Sequence, residues 1–241
     1  MPSITGSGFF LNPQGVQNVA SFAPTGNPIA PGELIYLYIS GLSVFPQAAT
    51  PPYPLTLGGI TVLINGTPAP IYLISPLQVV ALVPYSTTGP TATIVMQSGG
   101  ASSNTVTVPV AATAPGIFTL LQNGRGPGAV RHADYSIVND ANPARGGEIV
   151  LIYLTGLGAV SPALNDGFGG GANPVSTTVA TPGVTVGGMP ATVLFSGMSG
   201  YPGLYQINAQ LPAIPAGATS LPLVVTTPNA YHDQVDIAVQ P

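Results

Sequence analysis

The sequence predicts an all-β protein made of two similar domains in tandem, and three features carry that expectation. The stretch Gly32-Glu33-Leu34-Ile35-Tyr36-Leu37-Tyr38-Ile39-Ser40-Gly41-Leu42 returns as Gly147-Glu148-Ile149-Val150-Leu151-Ile152-Tyr153-Leu154-Thr155-Gly156-Leu157. Each copy is a glycine turn, an acid, a run of aliphatic, β-branched and tyrosine residues, and a polar-Gly-Leu exit, the pattern of a buried strand between turns. The 31 glycines and 28 prolines are spread as punctuation between short apolar runs, as in chains of many strands and turns. Short strands recur about seven times in the first half, a spacing that points to immunoglobulin-like β-sandwiches.

Composition narrows the function classes. Charged residues make up 4% of the 241, and the cations are Arg125, Arg131 and Arg145, with no lysine. Ordinary domains carry roughly 25% charge. A net charge of -4 without a basic patch excludes a nucleic-acid partner. It equally excludes a basic membrane-surface helix. Hydrophobic residues at 45% with so little charge are the reverse of a disordered composition. No run reaches the roughly 18–20 apolar residues of a spanning helix. There are no cysteines, so neither disulfides nor thiolate metal sites are available. No Lys/Arg-led signal peptide is visible at Met1-Pro2-Ser3, and the numbering is expected to start at a mature or trimmed end. So little charge leaves copies with weak mutual repulsion, which suits an extracellular or cell-surface protein that associates with itself.

Taken in order, residues 1–15 are expected to form a lead segment without a counterpart in the second half. Its apolar Phe9-Phe10-Leu11 is a candidate strand for pairing with another subunit, or else an edge strand within its own domain. The first domain is expected over residues 16–110, with strands at Val16–Phe22, Leu34–Ile39, Ile60–Ile64, Ile71–Ile74, Gln78–Val83, Thr91–Met96 and Thr105–Val110. Asn65-Gly66 is a hairpin signal, because both residues tolerate positive φ. Residues 111–116 form a short Pro-containing connector that should restrict domain motion. The second domain, 117–241, is expected to run through Ile117–Leu121, Ala129–Arg131, Tyr135–Val138, Ile149–Leu154, Val184–Val186, Ala191–Ser196, Gln206–Leu211, Leu221–Thr226 and Val235–Val239.

The offset between the halves grows along the chain. Glu33 matches Glu148 at 115, Gly66-Thr67-Pro68-Ala69 matches Gly188-Met189-Pro190-Ala191 at 122, and Gln78 matches Gln206 at 128. The second domain thus carries insertions within 158–183 and 197–204. Extra loop length on a repeated scaffold is where specificity is usually acquired.

Asn18-Val19-Ala20-Ser21-Phe22, Ile29-Ala30-Pro31-Gly32-Glu33, Ala111-Ala112-Thr113-Ala114-Pro115-Gly116-Ile117-Phe118-Thr119, Asn142-Pro143-Ala144-Arg145-Gly146-Gly147-Glu148, Tyr153-Leu154-Thr155-Gly156-Leu157-Gly158 and Val186-Gly187-Gly188-Met189-Pro190-Ala191 form an ordered series. Over roughly Val16 to Gln240 it resembles the uncharacterised C-terminal domain family of secreted acidobacterial proteins. That resemblance implies tandem Ig-like folds in the style of IPT/TIG domains outside the cell, with no assigned activity and no catalytic residues.

Candidate chemistry is sparse. Glu33 and Glu148 follow glycine at equivalent positions, where a carboxylate can accept turn N–H groups. As a glycosidase pair they would have to lie about 5–10 Å apart, which separate domains do not favour. The groupings His132/Asp134 and His232/Asp233 are expected to form turns rather than metal sites, and no Gly-x-Ser-x-Gly elbow offers a nucleophile. Asn165-Asp166-Gly167 opens like a calcium loop but lacks later carboxylates, so a glycine turn is expected. Asn65 fits the glycosylation sequon, although the hairpin explains the same residues. Thr/Ser tracts such as Ser176-Thr177-Thr178 are candidate O-glycan acceptors. Neither catalytic residues, metal nor cofactor are expected.

The function expected is therefore a non-enzymatic structural protein, a filament or surface-layer subunit whose partner is itself. The expected interface residues are Ile4, Phe9, Phe10 and Leu11, adding a strand to a neighbour, with Tyr201 and Tyr205 beside the second insertion. The alternative is an adhesion module that holds glycans through Tyr201 and Tyr205. A hydrolase and an outer-membrane barrel are weaker alternatives, the latter at odds with scattered prolines and the two-fold repeat.

Overall fold

A computed structural model describes residues 8–23, 26–228 and 230–241. Among these residues the chain is all strand and turn, arranged as two tandem immunoglobulin-like sandwiches. Among the described residues, no helix is long and apolar enough to cross a membrane.

The first sandwich contains β1 (Phe10–Asn18), β2 (Leu34–Ser40), β3 (Gln47–Ala48), β4 (Thr56–Leu57), β5 (Ile60–Ile64), β6 (Thr67–Ala69), β7 (Ile71–Ile74), β8 (Gln78–Leu82), β9 (Thr91–Ser98), β10 (Ala101–Ser102) and β11 (Val106–Pro109). One sheet has the order β1-β2-β8-β7-β3, and the other β10-β9-β5-β4 with β11 beside β9. Alternation places Ile35, Leu37 and Ile39 of β2 against Val62, Ile64, Ile94 and Met96 of the facing sheet. The Asn65-Gly66 turn joins Ile64 to Thr67 with φ of 50° and 77°. Two consecutive positive φ values define the type I′ turn expected for this dipeptide.

The lead segment takes the second of its two expected forms, an edge strand within its own domain. Phe10 and Leu11 pair with Ser40 and Ile39 of their own domain, and Phe9 and Leu11 are buried in its core. The predicted boundary between residues 15 and 16 falls inside β1. The side chains of Phe9 and Leu11 are thus committed to their own core, and Phe10 is half-buried beside them. The segment also has a counterpart after all. Leu11 lies opposite Ile39, as Ile117 lies opposite Leu154, the strand position equivalent to Ile39. Ile4 lies outside the described residues.

The second sandwich contains β12 (Gly116–Ile117), β13 (Gly126–Pro127), β14 (Val130–His132), β15 (Ala144–Arg145), β16 (Ile149–Thr155), β17 (Val160–Ser161), β18 (Thr177–Thr178), β19 (Gly183–Val186), β20 (Met189–Met198), β21 (Tyr205–Gln210), β22 (Ser220–Thr226) and β23 (Tyr231–Gln240). Its two layers are one continuous sheet, because β20 pairs with β19 through Ala191 and with β21 from Thr192 onward. A bulge between Val193 and Phe195 accompanies the change of layer. The core holds Ile117, Val150, Ile152, Leu154, Ile207 and Val225. The strand expected at Tyr135–Val138 is instead a turn with an isolated bridge from Ile137 to Arg131, and Tyr135 there takes a φ of 68°.

Candidate functional site: the domain junction, its free counterparts and an aromatic cleft

The repeated acids fix the same turn twice. The Ala30 N–H donates to Glu33 Oε2 at 2.6 Å, and the Arg145 N–H donates to Glu148 Oε2 at 2.9 Å. The Gly32 and Gly147 N–H groups donate to the Val83 and Leu211 carbonyls, whose own N–H groups return to Glu33 and Glu148. What differs is the surroundings. Glu33 is 1% exposed and its Oε1 has no hydrogen-bond partner. Burial pushes its carboxyl up to about 8, against the opposing pull of the Ala30 N–H and the Asn18 amide. Glu148 is half-buried, and its Oε1 meets His132 Nδ1. Burial alone would lower the His132 pKa, but Glu148 and the Asn142 carbonyl raise it above the ordinary histidine value. His132 faces Val150 as Asn18 faces Ile35, so the two acids have equivalent neighbours of different chemistry.

Glu33 precedes Leu34, whose N–H donates to Thr155 Oγ1 at the end of β16, whereas Glu148 immediately precedes the start of β16. At roughly 3.3 Å per residue the length of β16 separates the two acids by about 20 Å, wider than the about 5–10 Å of a glycosidase pair. Asp134 accepts from the Ser136 N–H and hydroxyl in the expected turn. His232 does not form a turn. It is buried in β23, where its Nδ1 accepts from the Ile117 N–H at 2.9 Å, and burial lowers its pKa with the Gly124 carbonyl opposing. Among the described residues no group of three acids, histidines or cysteines is placed to hold a metal.

The junction is built from the entrance of β2 and the exit of β16. The Leu34 N–H donates to Thr155 Oγ1 at 3.0 Å, the Asn18 amide to the Ala114 carbonyl at 3.1 Å, and the Ala114 N–H to the Gly156 carbonyl at 2.8 Å. The Tyr205 hydroxyl donates to the Gly158 carbonyl at 2.6 Å and lies over Gly32, where a Cβ would strike it and the Tyr85 ring. Tyr205 is fully buried here, which removes it from any outer interface or sugar platform. Both insertions reach back as clamps. The Tyr85 N–H donates to Asp166 Oδ1 at 2.8 Å, the Tyr53 N–H to the Gly167 carbonyl at 2.8 Å, and Gly203 packs against Leu34 and Leu82. These loops help to join the domains, a role their sequence does not announce.

Among the described residues, the repeat leaves several counterparts of this junction uncovered elsewhere. Gly147, the counterpart of Gly32, has nothing within 4 Å of its Cβ position. Ile149, the counterpart of Leu34, is 39% exposed against 7%. At the opposite end Leu77 occupies the position of Tyr205 and is 71% exposed, with Phe45 85% exposed in the loop leaving β2. Ser40, the counterpart of Thr155, is exposed as well.

The outer face of β2 and β8 is also apolar. Leu34, Val80 and Leu82 form a second buried cluster with Val19 and Tyr53, against which Tyr36 and Phe118 pack. Beside it opens a cleft of about 410 Å³ lined by Tyr36, Tyr53, Tyr72, Phe118, Gln122 and Tyr201 among others. Tyr53 and Tyr72 have ring centroids 5.2 Å apart, and Tyr36 lies 5.4 Å from Phe22. Burial pushes the Tyr53 phenol up to about 12, with Tyr72 and Tyr201 adding to it. A second cavity of about 450 Å³ lies beside the connector, lined in part by Glu33 and His232.

No family model matches the chain, and no curated protein matches it. Several solved structures are similar in arrangement. The Bacteroides ovatus mixed-linkage glucan locus surface glycan-binding protein is 15% identical, covering 90% of this chain and 44% of its own, with a TM-score of 0.36. The tandem Ig repeats of Dlar are 12% identical, covering 96% of this chain and 97% of theirs, at 0.25. The plexin A4 extracellular region is 11% identical and covers 97% of this chain, which spans 18% of that one, at 0.30. Likenesses this distant carry nothing about ligand, partner or activity.

Of the residues expected to act, Tyr201 alone among the interface tyrosines stays exposed, at the lip of the cleft. Asn65 is exposed at its hairpin tip, with its Oδ1 accepting from the Thr93 N–H at 2.9 Å. Ser176 is buried, which withdraws it as an O-glycan acceptor. Tyr36, Tyr53 and Tyr72 come together from separate strands and a loop, and no local sequence signal marks them as one site.

Proposed function

We propose that this protein is a non-enzymatic structural subunit of the cell exterior that stacks head to tail through copies of its own internal junction. The observation that carries the reading is the contrast between Gly32, covered by Tyr205 and Tyr85, and Gly147, which presents the same turn with nothing on it. Leu77 of a second copy occupies the position from which Tyr205 covers Gly32. Ser40 of that copy takes the place of Thr155 opposite Ile149. Such a contact joins unlike ends, so it is heterologous, and repeated without closure it generates an open filament. The first sandwich lacks the two clamping insertions, so the contact between copies is smaller than the internal one and assembly is concentration-dependent. A chain with 4% charged residues offers little repulsion against it, and this low charge also supports a place outside the cell.

Sedimentation and electron microscopy of the purified chain test the reading with one variant at each end. The native chain should form linear assemblies as concentration rises. Leu77→Asp and Ile149→Asp should each remain monomeric, because each spoils one end. An equimolar mixture of the two variants should stop at dimers, since it contains one intact pair of ends. A native chain that stays monomeric, or either variant polymerising normally, would overturn the proposal.

A further inference from the structure

We propose that the tyrosine-lined cleft on the outer face of β2 and β8 is a binding site for a neutral carbohydrate. The cleft brings Tyr36, Tyr53, Tyr72, Tyr201 and Phe118 to one surface, with Gln122 supplying a polar group. Its volume of about 410 Å³ falls within the roughly 300–1,000 Å³ of small-ligand sites. No acid, lysine or arginine lines it, so nothing compensates a charged ligand that loses its water.

Ring faces and ring edges make different demands, and a sugar meets both. A pyranose has an apolar C–H face that can lie on a tyrosine ring and a rim of hydroxyls that need donors and acceptors. Among the described residues, no hydrogen bond engages the hydroxyls of Tyr36, Tyr53, Tyr72 or Tyr201. An acyl chain would leave these hydroxyls unpaired when it excluded water, which is unfavourable for each group. A peptide strand would need backbone partners, but the cleft floor is a sheet face whose N–H and C=O groups are used between β2 and β8.

Gln122 adds an independent sign. It holds a φ of 52°, a left-handed conformation uncommon outside glycine. The turn that holds it is anchored by the Gln122 N–H on the Thr119 carbonyl at 3.0 Å and by Thr119 Oγ1, which accepts from the Asn123 and Gly124 N–H groups. Strained residues so held concentrate where a side chain must be aimed, and Gln122 is exposed on the cleft wall.

The inference stands independently of stacking, since the cleft residues are not at the two ends. Titration calorimetry of the full chain would use neutral cello-, xylo-, manno- and malto-hexaose, with oligogalacturonate as the charged control and decaproline as the peptide control. At least one neutral hexasaccharide should bind, and Tyr72→Ala and Tyr201→Ala should each weaken it tenfold or more with unchanged far-UV circular dichroism. Leu77→Asp should bind the sugar as the native chain does. No binding to any neutral member, binding indifferent to both tyrosine variants, or tighter binding to either control would overturn the proposal.

Discussion

The backbone N–H of Leu34 donates to the hydroxyl of Thr155 at 3.0 Å, across the boundary between the two sandwiches. Leu34 begins β2 and Thr155 ends β16, the two copies of the repeated strand. Both groups are buried, so the pair replaces a strand-ladder hydrogen bond with one between domains.

Thr155→Val keeps the side-chain shape and removes the acceptor. A buried N–H left without a partner costs about 1–3 kcal/mol, and urea unfolding should show a loss of that size. Thr155→Ser keeps the hydroxyl and should recover most of it. Equal stability of the valine and native proteins would mean that water replaces the contact.

The two repeated glycines should differ in their tolerance of a side chain. Gly32 and Gly147 have φ of 73° and 79°, and a left-handed residue with a Cβ costs about 1–2 kcal/mol. Gly147→Ala should cost about that much. Gly32→Ala must in addition displace the Tyr205 hydroxyl and the Tyr85 ring, so its loss in denaturant unfolding should be at least twice as large.

Glu33 should make the protein less stable in mild alkali than in acid. Its carboxyl rises from 4.5 to about 8 on folding. The folded state therefore binds a proton that the unfolded state has lost between those values. Stability from this group is fully present below pH 4.5, falls as pH rises, and is gone above about 8. Glu33→Gln should match the native protein near pH 4 and exceed it in melting temperature near pH 9. His232, whose pKa is lowered, acts in the opposite sense in acid, but it is common to both proteins and cancels in their difference. A native advantage at pH 9 would show that Glu33 is ionised and paired in the fold.

Local sequence was sufficient where a rule acts within a few residues. Ile60–Ile64 and Ile71–Ile74 are strands at the expected bounds. Asn65-Gly66 makes its hairpin because both backbones accept positive φ. The offsets between halves located both insertions, and glycine followed by acid marked the turn that Glu33 and Glu148 fix.

Tertiary packing decided the rest. Phe9, Phe10 and Leu11 looked unmatched because Gly116-Ile117, which fills the same place on β16, shares little side-chain chemistry with them. What a strand position repeats is backbone register, and different apolar residues can satisfy it. Tyr201 and Tyr205 looked alike in sequence, yet one is exposed and the other wholly buried, because Tyr201 sits in the turn before β21 whereas Tyr205 opens β21 and faces the core. The repeat alone determined that Gly32 and Gly147 make the same turn. Only the packing of one sandwich on the other decided that Gly32 is covered and Gly147 open, since burial depends on what a surface meets and not on the residues that form it.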